Sequence, residues 1–427
     1  MSTKQSIKRL PYAAIGRPES LVMTDYWFLF GMWMVVFWAI DPLGWKVDFI
    51  PGIKQFPVFI IAPAFVLAAL GQRLFQGRKI SIHASAENRN LLLLVVLFSA
   101  FVTLGSVIAR FLNGIDNSFL TMGLYALTAP LTAWFVNRSI NQVTLVKKLV
   151  LVYIFWAVVS VVLQAFNFGE REVFHAREHL VIAALIFFYL IAKAKAMTIL
   201  ALLLIISAAI VAKKNSAYLT AVLIFAFAFF SWAIQRSQSI KDSIQRSMLW
   251  MRVMLMSLAA SGVVALAYAY RSTTLPTGNP EYRLHTYEVA WKRFVDSPLW
   301  GTGFTGAATE KFDRFSVAVS TQILPTHSDP LDILAHGGLV GFVVWVSIFA
   351  ILFQRWYLLL KYPRRQFDSS LLPYLHTIYC MIFSGVLVCM FNPILNTPNL
   401  AWSFWALIGA LLADHQSSGR PFPASTL

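Results

Sequence analysis

Residues 323–353, ILPTHSDPLDILAHGGLVGFVVWVSIFAILF, settle what kind of chain this is. From Leu331 to Phe353 the only charged side chain is Asp332. An apolar run of that length, about 20 residues or more, is long enough to cross a bilayer as one helix. N-terminal to it lies a polar segment, Arg271–Pro330, and before that a second apolar run, Met248–Tyr270. The same alternation recurs along all 427 residues, of which 58% are hydrophobic and 13% charged. Soluble domains carry about 45–50% and about 25% respectively, so the composition points to an all-α integral membrane protein crossing the bilayer many times.

Twelve candidate spans follow: Leu21–Ile40 (interrupted by Asp25), Phe56–Leu70, Leu91–Ala109, Phe119–Val136, Leu149–Phe166, Leu180–Ala192, Ala196–Ala212, Ala217–Ile234, Met248–Tyr270, Leu331–Phe353, Leu371–Phe391 and Leu400–Ala413. Residues 1–427 read as a single membrane domain, with 271–330 a large loop between the ninth and tenth spans. The basic N-terminal stretch precedes a first apolar run without a small-residue cleavage site, which predicts a retained span rather than a removed signal. The net charge of +16 sits mostly in short loops. With the N-terminus inside, the inside segments hold 21 Lys and Arg residues. The short outside loops hold only Lys46, Lys54, Arg110, Arg171, Arg177, Lys213 and Lys214. Positive charge accumulates on the cytoplasmic side of short loops, so both termini are expected inside and the 271–330 loop outside, in the periplasm if the cell is Gram-negative. The basic balance is thereby assigned to topology and phospholipid contact, with no nucleic acid partner. Cys380 and Cys389 lie nine residues apart in one predicted helix, on opposite faces, and cannot pair within it.

A polar segment pinned at both ends to membrane helices suits chemistry on a membrane-bound substrate. Within it one helix is well signalled: Asn279 as cap, Pro280 at the first helical position, Glu281 at the positive end of the dipole, then Tyr287, Trp291 and Phe294 at helical spacing. Arg283, four before Tyr287 and eight before Trp291, is expected on their face. Pro298, Gly301 and Gly303 end the element in a tight turn. His327 precedes the tenth span and is expected at the outer membrane–water boundary, where an imidazole can take a proton from a hydroxyl near neutral pH. Gly338 and Gly341 would let helices approach closely.

Walker, Rossmann, HExxH and GxSxG patterns are all absent, and no Asp-x-Asp occurs. Asp329 and Asp332 read as helix caps rather than metal ligands, so neither metal nor cofactor is expected. Outside cations gather in two short loops, Arg171 and Arg177 in GEREVFHAREH and Lys213 and Lys214 in KKNSAY. Two readings fit them: interfacial snorkelling with local pairing to Glu170, Glu172 and Glu178, or a basic pocket for a phosphorylated lipid.

The pattern His327-Ser328, nine residues, then Gly338-Leu339-Val340-Gly341 resembles that of the O-antigen ligase family, within a wider group that holds O-antigen polymerases and some protein O-glycosyltransferases. The upstream stretch EYRLHTYEVAWKRFVDSPLWGTGF is similar to that group's run of an Arg, a Trp and Pro-x-x-Gly-x-Gly, here Arg283, Trp291 and Pro298–Gly303. The resemblance covers about Glu281–Gly341. It implies a GT-C-like glycosyltransferase of the bacterial inner membrane with a helical periplasmic segment and a periplasmic active site. Such an enzyme moves a polysaccharide from undecaprenyl pyrophosphate to lipid A–core, metal-independent and with inversion. Carried over, His327 and Arg283 take catalytic places. The family's further Arg at the outer end of a mid-chain span is missing here. Lys213 or Lys214 substitutes for it, keeping the charge without the bidentate fork.

Two other readings stand beside this one. An O-antigen polymerase would act on the same lipid-linked donor, and such enzymes often carry Arg-x10-Gly motifs in outside loops. None of Arg171, Arg177, Arg271, Arg283, Arg293 and Arg314 has a Gly eleven positions on, which favours a ligase. A lipid-linked sugar flippase or transporter would need basic residues along an inner cavity, and no inverted repeat is visible.

Overall fold

The computed structural model describes residues 21–40, 62–75, 86–113, 119–165, 279–304, 326, 328–361, 370–390, 393–395 and 398–413, with isolated positions between 237 and 251. Of the described residues 88% are helical and none is in a strand, which makes the fold all-α. Among the described residues six helices precede the polar segment: α1 (Met23–Ile40), α2 (Ala62–Phe75), α3 (Ala86–Asn113), α4 (Phe119–Ala126), α5 (Thr128–Arg138) and α6 (Gln142–Ala165). Then come α7 (Asn279–Asp296), α8 (Asp329–Lys361), α9 (Leu372–Cys389) and α10 (Pro398–Leu412). Among the described residues three stretches are long and apolar enough to cross a membrane: Asn88–Ala109, Asp329–Lys361 and Leu372–Cys389, with shorter apolar helices at Pro63–Phe75 and Leu400–Leu412. The expected spans Leu180–Ala192, Ala196–Ala212 and Ala217–Ile234, and nearly all of Met248–Tyr270, lie outside the described residues. The expected span Phe119–Val136 is divided at Leu127 into α4 and α5.

The helices share one apolar core. It runs from Phe28 and Met32 of α1 through Phe98 of α3 and Phe135 of α5 to Trp356 of α8 and Trp405 of α10, all essentially inaccessible. Aromatic rings supply much of the contact. Phe28 stacks on Phe135 with centroids 4.3 Å apart, and Trp356 stacks on Phe383 at 5.4 Å.

One end of this bundle is tied by polar and cationic residues. Asp25, which interrupts the first apolar run, is fully buried and pairs with Arg73 of α2. Its carboxylate also accepts from Ser139 Oγ at 3.1 Å, and the Arg73 guanidinium lies 4.5 Å from the centre of the Phe135 ring. A buried acid is tolerable only with such a partner. At the same end Lys148 lies over the Tyr26 ring. Lys147 donates to Ser370 Oγ at 2.8 Å, and Arg355 NH1 to Asn88 Oδ1 at 2.6 Å. All of these cations belong to segments whose charge count predicts a cytoplasmic location. Residue 355 is eighteen positions along α8 from Gly337, about 27 Å at 1.5 Å per residue, so residues 298–302, which bond to α8 beside Gly337, lie at the opposite end of the bundle.

Candidate functional site

The site is built from the motif residues around α7 and the start of α8. α7 begins where Asn279 and Pro280 predict and lies against the first turns of α8 through two small residues, Ala290 and Ala335, both buried. After Asp296 the chain turns at Ser297–Phe304, with Gly301 and Gly303 at φ of 69° and 71°. Only glycine adopts such angles without cost.

α8 is not one helix. At Gly338 the backbone has φ 59° and ψ −163°, and the helix breaks there. A break strands amides and carbonyls that would otherwise bond four residues along the helix. The turn after α7 satisfies them. Leu339 N donates to Pro298 O at 2.8 Å, Val340 N to Leu299 O at 3.2 Å, and Thr302 N to Ala335 O at 3.0 Å. The Pro-x-x-Gly-x-Gly run and the glycine pair of the His motif are therefore two halves of one main-chain joint. A side chain at Gly338 would run into Leu299 O and Gly301 N, and one at Gly301 into the backbone of His336 and Gly337. Gly341 does serve close approach, as its sequence spacing predicts: an added Cβ would stand 2.8 Å from the Phe101 ring of α3.

Sequence reasoning passed over His336. It is fully buried beside that joint, its ring 4.8 Å from Phe119 and 6.3 Å from Phe304, centre to centre. Nδ1 meets the Gly303 carbonyl at 3.1 Å. A carbonyl only accepts, so Nδ1 carries the proton and Nε2 is left as the bare nitrogen. Nε2 has no hydrogen-bond partner among the described residues. A lone His in an apolar run gives no sign of this, because the carbonyl it holds is 33 residues away.

The entrance to α8 is fixed by its acids. Asp332 Oδ1 accepts from Thr326 Oγ1 at 2.8 Å and from Thr326 N at 3.3 Å. Ser328 N donates to the same Thr326 hydroxyl at 3.2 Å. The two neighbours of residue 327 are thus both buried and both bonded. Asp329 Oδ2 reaches another segment, accepting from Ile394 N at 2.7 Å and Leu395 N at 2.8 Å. Both carboxylates hold backbone or hydroxyl donors, as helix-entry acids do. Among the described residues no three His, Cys, Asp or Glu side chains gather as a ligand set.

Of the six expected site residues the structure describes Arg283; His327, Arg171, Arg177, Lys213 and Lys214 lie outside the described residues. Arg283 sits near the start of α7, half-buried. Its Nε is buried with no hydrogen-bond partner among the described residues. Tyr287, one turn on, is half-buried. Burial raises its phenol above the ordinary value; the Arg283 charge opposes the rise and the Asp332 charge adds to it. One phenol thus feels both the α7 cation and the α8-entrance acid. The expected shared face needs one correction. Arg283, Thr286, Tyr287, Ala290 and Phe294 form the inward face, while Trp291 is 54% exposed on a neighbouring one. Eight residues exceed two helical turns by enough to carry it round.

An all-helical, membrane-integral chain, with a polar segment bonded into a broken span beside an arginine whose Nε has no partner among the described residues, is the class of protein these features define. Comparison with protein families then gives a match to the O-antigen ligase family model over residues 180–346. The matched range contains α7, the turn, the joint and His327. Members of the family are glycosyltransferase-like ligases and polymerases. No curated protein matches the chain.

Proposed function

We propose that this protein is an O-antigen ligase. It transfers O-antigen polysaccharide from undecaprenyl pyrophosphate to the lipid A–core oligosaccharide at the periplasmic face of the inner membrane. The observation that carries the reading is Arg283, whose buried Nε has no partner among the described residues and which lies on the helix packed against the α8 entrance. A guanidinium left open there suits the pyrophosphate of a lipid-linked donor.

The chemistry follows from charge. An acceptor sugar hydroxyl attacks the anomeric carbon from the side opposite the leaving diphosphate, and the configuration inverts. His327 takes the hydroxyl proton as general base. The negative charge that develops on the departing diphosphate is met by Arg283, with Lys213 and Lys214 and then Arg171 and Arg177 completing the cationic lining. No resident metal or cofactor has a step. Both lipids enter sideways from the bilayer through a lateral opening between spans. The twelve-span, GT-C-like arrangement belongs to the same proposal.

The test is lipopolysaccharide from cells whose only copy carries His327→Ala or Arg283→Ala, run on a gel beside a membrane immunoblot. With normal protein levels, the ladder of long chains on lipid A–core is expected to vanish. Its persistence overturns the assigned roles. Core capped by a single repeat unit would instead identify a polymerase.

A further inference from the structure

α7 has three faces, and among the described residues only one is covered by another element. Thr286, Ala290 and their neighbours face α8. Glu288, Lys292 and Asp296 form an exposed polar edge. Between the two runs an apolar stripe of Leu284, Trp291 and Val295, spaced seven and four apart, which continues into Leu299 and Trp300 of the turn. All five are between 54 and 65% exposed.

Three observations say what covers this stripe. The first is continuity with α8. Through the main-chain joint Leu299 lies beside Val340, and Leu339, Val340 and Val343 are exposed apolar side chains on a helix that qualifies as a membrane span. The second is length. The 33 residues of α8 would measure about 50 Å as one rod, against a hydrocarbon core of about 30 Å. The break at Gly338 leaves residues 339–361 to span, about 35 Å, and frees 329–337 to follow another direction with α7 packed on it. The third is chemistry. Two exposed Trp rings with a Lys and acids on the adjoining edge are the composition of a helix lying at the membrane–water interface.

We infer that α7 and the turn after it lie along the bilayer surface, with Leu284, Trp291, Val295, Leu299 and Trp300 seated in lipid. The membrane plane then falls at the level of Gly338. The start of α8 stands at the headgroup layer, not inside the hydrocarbon, and Arg283 is held at the depth of lipid phosphates.

Site-directed spin labelling of the full-length protein in phospholipid nanodiscs tests this. Single cysteines are placed at 284, 291, 295, 299, 288 and 292; the native Cys380 and Cys389 are buried and stay unlabelled. Accessibility to oxygen, which partitions into lipid, is compared with accessibility to a water-soluble nickel chelate. The oxygen-to-nickel ratio is expected to be severalfold higher at 284, 291, 295 and 299 than at 288 and 292. An equal ratio at all six overturns the inference. So does a high ratio at 295 and 299 alone, which would mean that α7 stands upright from the membrane. Dipolar broadening at 291 that fades on dilution with unlabelled chain would place a second copy on the stripe, and would also overturn it. The result does not depend on whether the protein is a ligase or a polymerase, since neither label nor readout involves transfer.

Discussion

The two ends of the bundle handle positive charge differently. Where α1 begins and α5 ends, Arg73 is locked to Asp25, Arg138 lies over Trp134, Lys148 over Tyr26, and Lys147 and Arg355 donate to side-chain oxygens. These cations are satisfied by the chain itself and act as fastenings. At the other end Arg283 Nε is buried with no partner among the described residues. A charge left open inside a folded site costs stability unless something else completes it. The difference separates cations that the chain itself engages from one whose Nε meets no partner among the described residues.

The sharpest test begins with the proposed proton acceptor, His327. His327→Ala is expected to slow transfer by roughly 10²–10⁴-fold, the usual worth of a general base, measured with purified enzyme and lipid-linked donor. At the closed end, Arg73→Ala strands the buried Asp25 carboxylate. Removing one partner of a buried pair costs about 3–5 kcal/mol. That should appear as a large drop in thermal stability, with transfer per folded molecule near the parent value. The mirror image is Arg283→Ala: a loss of about 10²–10³-fold in transfer with little change in melting temperature. Arg283→Lys should recover part of the rate, since charge stays while the planar fork goes. If Arg73→Ala inactivates without destabilising, or Arg283→Ala destabilises without inactivating, the contrast between the ends fails.

Gly338→Ala sharpens the picture from the backbone side. A left-handed angle on a non-glycine residue costs about 1–3 kcal/mol, and the added carbon meets Leu299 O and Gly301 N. Stability and transfer should fall together. The smallest expected effect is none: transfer by purified enzyme should survive a chelator, and a loss that returns on adding a divalent cation would require a metal in the mechanism.

Local features were legible in the sequence and distant pairings were not. The start of α7 at Asn279–Pro280 and its end before Pro298 follow from capping and glycine rules, and the ends of α1, α9 and α10 fall close to the apolar runs that predict them. Asp25 is visible as an interruption, but its partner is 48 residues away. Gly338 reads as a close-approach glycine; that it breaks the helix depends on carbonyls of Pro298 and Leu299, about forty residues upstream. Asp329 reads as a cap and in fact holds Ile394 and Leu395, which no local pattern signals. Spacing alone does not separate residues to either side of a helix stripe, so it groups Trp291 with Arg283 and Tyr287 although Trp291 is exposed on the neighbouring face. Of the site, the motif pointed to Arg283 and to the turn that supports its helix. Why the Pro-x-x-Gly-x-Gly run and the glycine pair accompany each other became clear only from the bonds between them.

Those bonds join peptide groups, not side chains. Positions 299, 339 and 340 can therefore change their chemistry while the fastening beneath them stays intact. A surface that can be re-lettered without loosening its frame is free to drift in composition while the break in the helix beneath it keeps its geometry.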